Sequence, residues 1–361
     1  MANASHNQVP LGPWADADLK HTAQMGVGVG ADDGLSLELR FVRNVAELLR
    51  RRNSQAAPNS DPKSLAVFLL KPDPSDLNLP GQARRVPMLN NGLTRLTGRL
   101  WFVGGGPASG QFCEGLPPDD NELFSFVVDE LKGGDCAAII HDPRPQQPET
   151  RYYPVGLQDP NQYRTLSLTT EEVDVDKVLA VIDAVYRTNL ITPESQSQNK
   201  LWENAAKWWP CEDAESKIQS CLKAGLAGHF LACTIRDEQS MPEGRLDIEI
   251  EESDPSNRSQ VTRHAILELK VLRSFGKSGS IYSAVTTQEW VKSGVEQAAT
   301  YRQGKGAKWS ALFCFDMRKD VSGQACFDHI KDLASSLNVL VRCWHIYASA
   351  KLYRAVALSG T

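Results

Sequence analysis

The sequence predicts an α/β protein in two parts, an N-terminal α/β domain over 1–195 and a second domain over 196–361. Three observations predict it. Short apolar runs bounded by Gly and Pro alternate with stretches whose apolar residues recur every three or four positions. The 361 residues, 41% of them hydrophobic, suffice to bury two cores. The polar stretch Thr192-Pro-Glu-Ser-Gln-Ser-Gln-Asn-Lys200 reads as a linker, which places the division near residue 195.

The elements follow in order. Residues 1–36, rich in Gly, Asn, Asp and Ala, read as loose at the start. Leu37 to Arg50 has helical spacing, and Arg51 to Pro62 has the composition of a flexible loop. Leu65–Leu70, Leu100–Val103, Phe124–Val128 and Ala137–Ile140 read as strands, and Leu179–Tyr186 as a helix. Gly104-Gly-Gly-Pro-Ala-Ser-Gly110 follows a strand but lacks the Lys-Ser/Thr ending of a phosphate-binding loop. Trp202, Trp208 and Trp209 read as aromatics packed on helices, and the cysteines as small core residues. Cys211 to Ala227 is an amphipathic helix on which Glu215 and Gln219 share a face. Phe230–Ile235 is a strand, Arg236–Gly244 a loop, and Arg245–Ile250 a second strand with Asp247 and Glu249 on one face. After a polar turn, Ala265–Leu272 is a third strand, with Glu268 and Lys270 pointing the same way. His264 and Glu249 read as surface residues near the ends of these strands. Gln288–Tyr301 is a helix and Trp309–Phe315 a core strand.

Composition excludes several classes. No window approaches the roughly 20 apolar residues of a membrane helix. The eight cysteines form no CxxC pair, and Met1 to Asn7 has neither a basic nor an apolar region. The expectation is a cytoplasmic chain with reduced thiols and no membrane partner. The net charge of −5 is unlike that of a nucleic-acid coat protein. It is unevenly spread: residues 201–262 carry 6 basic and 12 acidic side chains, and residues 263–319 carry 10 and 4.

The acidic stretch and the basic one meet at a single constellation. Two half-buried strands joined by a turn bring Asp247, Glu268 and Lys270 together at their ends. Facing carboxylates are costly unless a cation sits between them. Oxygen-only donors suit Mg²⁺ or Mn²⁺. An adjacent lysine orients water and stabilises developing negative charge, the requirements for hydrolysing a phosphodiester.

Glu215 on a helix, Gly244-Arg-Leu-Asp247 on one strand and Glu268-Leu-Lys270 on the next resemble, in this order, the PD-(D/E)xK nuclease superfamily. Gln297-Ala-Ala-Thr-Tyr301 is similar to the Gln-x-x-x-Tyr motif of its RecB-like branch. Leu246 stands where the family usually has Pro. The resemblance covers about residues 205–345 and does not reach the N-terminal half. It implies a restriction-endonuclease-like mixed sheet flanked by helices. It also implies a Mg²⁺- or Mn²⁺-dependent deoxyribonuclease. Glu215, Asp247, Glu268 and the Leu269 carbonyl would hold metal, Lys270 would polarise water, and Gln297 and Tyr301 would position the lysine or the DNA strand. Arg273, Lys277, Lys292 and Arg302 would meet the phosphate backbone. The implied setting is an antiviral defence or restriction system of a bacterium, with an N-terminal half that regulates or recognises. A helicase or ATPase partner and a homodimer are further expectations. The alternatives are a DNA repair or recombination nuclease, and an inactive nucleic-acid-binding subunit.

Overall fold

The computed structural model describes residues 35–55, 64–70, 84–87, 99–104, 109–112, 116–145, 148–168, 172–196, 200–241, 244–254, 260–275 and 280–359. Gly26–Gly30, most of the Gly104–Gly110 loop and Lys277 lie outside these residues. The fold is mixed α/β, with a seven-stranded sheet in the N-terminal half and a five-stranded mixed sheet flanked by helices in the C-terminal half.

Helix α1 (Leu37–Gln55) leads into strands β1 (Ala66–Leu70), β2 (Arg84–Pro87), β3 (Leu100–Val103) and β4 (Ser109–Phe112). After helix α2 (Asp120–Ser125) come β5 (Ala138–Asp142), β6 (Glu149–Tyr153) and β7 (Arg164–Thr165). The spatial order is β2-β4-β3-β1-β5-β6-β7, and β1 with β3 is the parallel pair. The central strand β1 is apolar on both faces. Ala66 and Phe68 pack with Phe41, Val45 and Leu49 of α1, while Val67 and Leu69 pack with Leu123, Phe126 and Val127.

Phe124–Val128 is therefore not a strand. Asp119 caps α2 by accepting from the N–H groups of Asn121 and Glu122. Leu123, Phe126 and Val127 then fall at helical spacing on the face turned to the sheet.

Helix α3 (Val175–Val185) is followed by the hairpin of β8 (Trp202–Asn204) and β9 (Trp209–Pro210). Trp202 and Trp208 meet edge to face on this hairpin and join the core built by the helices Val175–Val185 and Ala214–His229, the helix packing expected of them. Next come α4 (Ala214–His229), β10 (Thr234–Met241), β11 (Gly244–Ser253) and β12 (Val261–Leu272). The chain closes with α5 (Ala284–Lys305), β13 (Trp309–Asp316), α6 (Lys331–Ser336), β14 (Val339–His345) and α7 (Ala350–Ser359). The order β10-β11-β12-β13-β14 has antiparallel pairs up to β12 and parallel pairs beyond it. The expected Arg236–Gly244 loop is mostly strand. Residues 236–241 belong to an edge strand, where the backbone ladder to β11 holds the pairing.

Helix α4 covers one face of the five-stranded sheet and α5 the other. A cut at residue 195 would pass through the first of these cores. Val173, Val178, Val181, Ile182 and Leu190 share it with Ile218, Leu222, Leu267 and Phe313. The expected linker is anchored where it is described. Gln196 is buried, donating to the Leu190 carbonyl at 2.8 Å and accepting from the Leu201 N–H at 3.0 Å. Helix α1 spans both halves: Arg43 donates to the carbonyls of Ala227 and Cys233, and Arg50 pairs with Glu252 at 2.9 Å.

Candidate active site

Strand β12 lies in the middle of the sheet and is buried along Ala265–Leu269. Its odd positions face α4 with Ile248 and Phe313, so its even positions turn to the α5 side. This places Glu268, 1% exposed, and Lys270 on the α5 side of the central strand. The ladder between β11 and β12 runs as far as Ile248 opposite Leu267. Beyond it, Asp247 Oδ2 accepts the Leu269 N–H at 2.8 Å, a carboxylate taking a donor freed where the strands part.

Helix α4 adds two anchors. Gln219 Nε2 donates to the Asp247 carbonyl at 2.6 Å. Glu215 Oε2 accepts the Val271 N–H at 3.2 Å. Glu215, Asp247, Glu268, Leu269 and Lys270 thus meet at one end of the sheet, fixed through backbone groups of β12.

The electrostatics follow from burial. Removal from water pushes Asp247 up to about 6, against the pull of the Leu269 N–H and Lys270, and Glu215 raises it further. Burial, then the Asp247 charge, pushes Glu268 up to about 8. Lys270 Nζ donates to Glu268 Oε1. Burial works against the Lys270 ammonium, but Glu268, Asp247 and Glu215 hold its pKa above the usual lysine value. Glu268 Oε2 is buried and, among the described residues, has no hydrogen-bond partner. The oxygen-only set of Glu215, Asp247 and Glu268 is the donor chemistry of hard divalent cations.

Helix α5 closes over this group with one stripe, Trp290, Ser293, Gly294, Gln297, Tyr301 and Lys305, at three- and four-residue spacing. Gly294 permits the approach: a Cβ there would lie 2.7 Å from Leu312 Cδ1 and 3.4 Å from Lys270 Cγ. Tyr301 is fully buried with Leu246 and Ile266. Its hydroxyl lies over Gly244, where φ is +143° and a Cβ would come within 2.6 Å. Gln297 Oε1 is buried and, among the described residues, without a hydrogen-bond partner.

An open cleft of about 310 Å³ is lined by Glu215, Lys270, Val271, Arg273, Tyr282, Trp290 and Ser293. The sequence reading missed Tyr282 and Trp290. The signal available was helical spacing, since Trp290 stands seven residues before Gln297.

The expected phosphate contacts divide. Arg273 lines the cleft and donates to the Glu212 carbonyl at 2.9 Å. Lys292 is exposed and lies 3.8 Å from Glu296 on the outer face of α5. Arg302 donates to the carbonyls of Leu337 and Asn338 at the end of α6, so its guanidinium serves a helix terminus away from the cleft.

Two residues expected at the surface are buried. Glu249 is 0% exposed and pairs with Lys305 at 2.9 Å and Arg263 at 3.1 Å. His264 lies with Glu252 and Cys233, their ligand-capable atoms within 4.8 Å of one another. This second cluster already holds cations of the chain, Arg50 on Glu252 and Lys308 at 3.4 Å from His264. Burial pushes the Cys233 thiol up to about 12. Among the described residues, no helix is long and apolar enough to cross a membrane.

Compared with protein-family models, curated proteins and solved structures, the chain matches none.

Proposed function

We propose that the C-terminal half is a divalent-metal-dependent nuclease that hydrolyses phosphodiester bonds in DNA, a member of the PD-(D/E)xK superfamily. The observation that carries this reading is the meeting of Asp247, Glu268 and Lys270 around a buried carboxylate oxygen without a partner. An unpartnered buried oxygen beside a second buried carboxylate is where a cation would relieve both the lost hydrogen bond and the facing charges. The donor chemistry suits Mg²⁺ or Mn²⁺: Glu215, Asp247 and Glu268 would supply carboxylate oxygens and the Leu269 carbonyl a further donor. The three carboxylates would draw together to do so, since among the described residues it is Cys233, Glu252 and His264 that bring three ligand atoms within 4.8 Å of one another. When bound, the ion supplies Lewis acidity toward a phosphate oxygen and lowers the pKa of water.

The chain's own residues do the rest. Gln219 and the Leu269 N–H fix Asp247 from two sides. Glu268 holds the Lys270 ammonium in place, so this lysine orients the attacking water and stabilises charge developing on the phosphoryl oxygens. In the reaction, the water oxygen bonds to phosphorus, the bond to the leaving oxygen breaks, and the water proton leaves as the leaving oxygen gains one. Gln297 and Tyr301 hold α5 over the site. Arg273 is the cleft's remaining cation for a flanking phosphate.

The test is cleavage of plasmid, linear duplex and single-stranded DNA with Mg²⁺ or Mn²⁺, beside Asp247→Ala and Lys270→Met. Wild type is expected to cleave only with metal. Each variant is expected to lose about 10²-fold or more, the scale set by removing one electrostatic group from such a site. Calorimetry should show that Asp247→Ala loses metal binding, whereas Lys270→Met keeps it. Cleavage that survives in both variants would overturn the assignment.

A further inference from the structure

The cleft that Lys270 lines also holds an aromatic corner. Tyr282 and Trp290 pack with ring centroids 4.6 Å apart and planes at 70°. Both side chains are half-buried and line the cleft that also holds Glu215, Lys270 and Arg273. Tyr282 is held there by its backbone, whose N–H donates to the Ser274 carbonyl at 3.0 Å. Trp290 is held by α5, on the stripe that carries Gly294 against Lys270.

We infer that this corner receives an unpaired nucleobase of the strand being cut, next to the scissile phosphate. Two rings near a right angle offer a flat heterocycle one face to stack on and one edge to meet. The cleft volume is at the low end for small-ligand sites of about 300–1,000 Å³, which suits one base rather than a stacked pair. In a duplex, both faces of a base are covered by neighbours and its edge by its partner. A base reaches such a corner from a single strand, a frayed end or an extruded position. Lys270 and the ring pair share one cleft, so the base in the corner belongs to a nucleotide adjoining the phosphate at Lys270. Arg273, which lines the same cleft, offers a cation for the linking phosphate. The substrate class is therefore single-stranded or locally unpaired DNA. The inference rests on the nuclease reading for the identity of the polymer. The corner itself rests on the aromatic geometry.

The test has two readouts. Binding of a fluorescein-labelled oligothymidylate and of a blunt duplex of equal length is measured by anisotropy in EDTA. Cleavage with Mn²⁺ is measured on single strands in which one abasic nucleotide is moved stepwise along the sequence. The variants are Trp290→Leu, Tyr282→Leu and the conservative Trp290→Phe, each checked for an unchanged melting transition. Wild type is expected to bind the single strand more tightly than the duplex. The leucine variants should lose about fivefold to a hundredfold of that affinity, the range of one base–aromatic stack, and Trp290→Phe should retain most of it. In cleavage, an abasic nucleotide at one position beside the cut should slow wild type, and Trp290→Leu should be insensitive to it. Cleavage with no single-strand preference and no effect of Trp290→Leu would overturn the base site and leave the nuclease standing. Aromatic-dependent single-strand binding without any cleavage would do the reverse. Absence of both overturns both.

Discussion

His345 shows how a single buried side chain sets a response of the whole chain to acid. It ends β14 opposite Asp316, and its carbonyl accepts the Tyr186 hydroxyl at 2.6 Å. Its ring lies against Trp208 and Tyr347, and both ring nitrogens are buried without hydrogen-bond partners among the described residues. Burial lowers its pKa. Asp316 opposes this, but Arg318, which pairs with Asp316, adds to the lowering. The folded state therefore keeps His345 neutral at pH values where the unfolded chain, with a histidine near 6.5, binds a proton. The stabilisation is present above the unfolded value and is lost as pH falls through it toward the folded one. Between pH about 7.5 and about 5.5 this lowers the melting temperature, against the raised carboxyls of Glu268 and Asp247, which gain stability over the same range. On acidification wild type should therefore lose more melting temperature, or gain less, than His345→Phe, which keeps the aromatic contacts and removes the titration. Equal slopes in the two proteins would assign the acid response elsewhere. At this scale, Asp247, Glu268 and Lys270 were legible because alternation along two neighbouring strands assigns each a face. Glu249 was not. Its burial depends on Lys305 and Arg263, cations from α5 and β12 that only the folded chain brings to it.

At the scale of elements, the site depends on how closely α5 lies on β12 and β13. Gly294 sets that distance. Leu312, the residue a Cβ would strike, is fully buried in the core under α5 and cannot swing away. Gly294→Ala is expected to cost about 1–3 kcal/mol, the range for overpacking a filled core. It should also slow cleavage by more than the loss of folded protein, because the helix that shifts carries Trp290 and Gln297 and rests on Lys270. Thermal melts paired with single-turnover cleavage at a temperature where both proteins are folded would separate the two effects. A full loss of stability with unchanged single-turnover rate would show that α5 has no part in placing the lysine. The long elements were readable because their periods are sustained: α5 over Ala284–Lys305 and β12 over Val261–Leu272. Phe124–Val128 misled because five residues carry no period, and the informative residue, the cap Asp119, stands outside the run. Strand β10 was hidden because an edge strand needs little apolar pattern when its ladder to β11 is made by the backbone.

For the whole molecule, the question is which residues make the C-terminal sheet a folding unit. Polar composition near residue 195 suggested a boundary, but composition does not report which side a helix packs on. Helix α3 lies before that point and packs on α4. Val173, Val178, Val181, Ile182 and Leu190 all enter the core under the five-stranded sheet. Each is worth about 1.5–3 kcal/mol when buried. Their joint loss, about 7.5–15 kcal/mol, is comparable with the roughly 5–15 kcal/mol that keeps an ordinary domain folded. A fragment of residues 196–361 should therefore show no cooperative melt and should expose apolar surface to a hydrophobic dye. A fragment of residues 172–361 keeps α3 and should melt cooperatively. Its midpoint should lie below that of the full chain, because Arg43 and Arg50 of α1, which reach Ala227, Cys233 and Glu252, are then gone. The same two arginines give the N-terminal half a physical route to the sheet that bears Asp247 and Glu268. Arg43→Ala in the full chain should lower the midpoint in the same direction as the truncation, by about 1–3 kcal/mol for two carbonyls left without their charged donor. Cooperative folding of 196–361 alone would mean that α3 is an accessory to the core and would restore the boundary at 195.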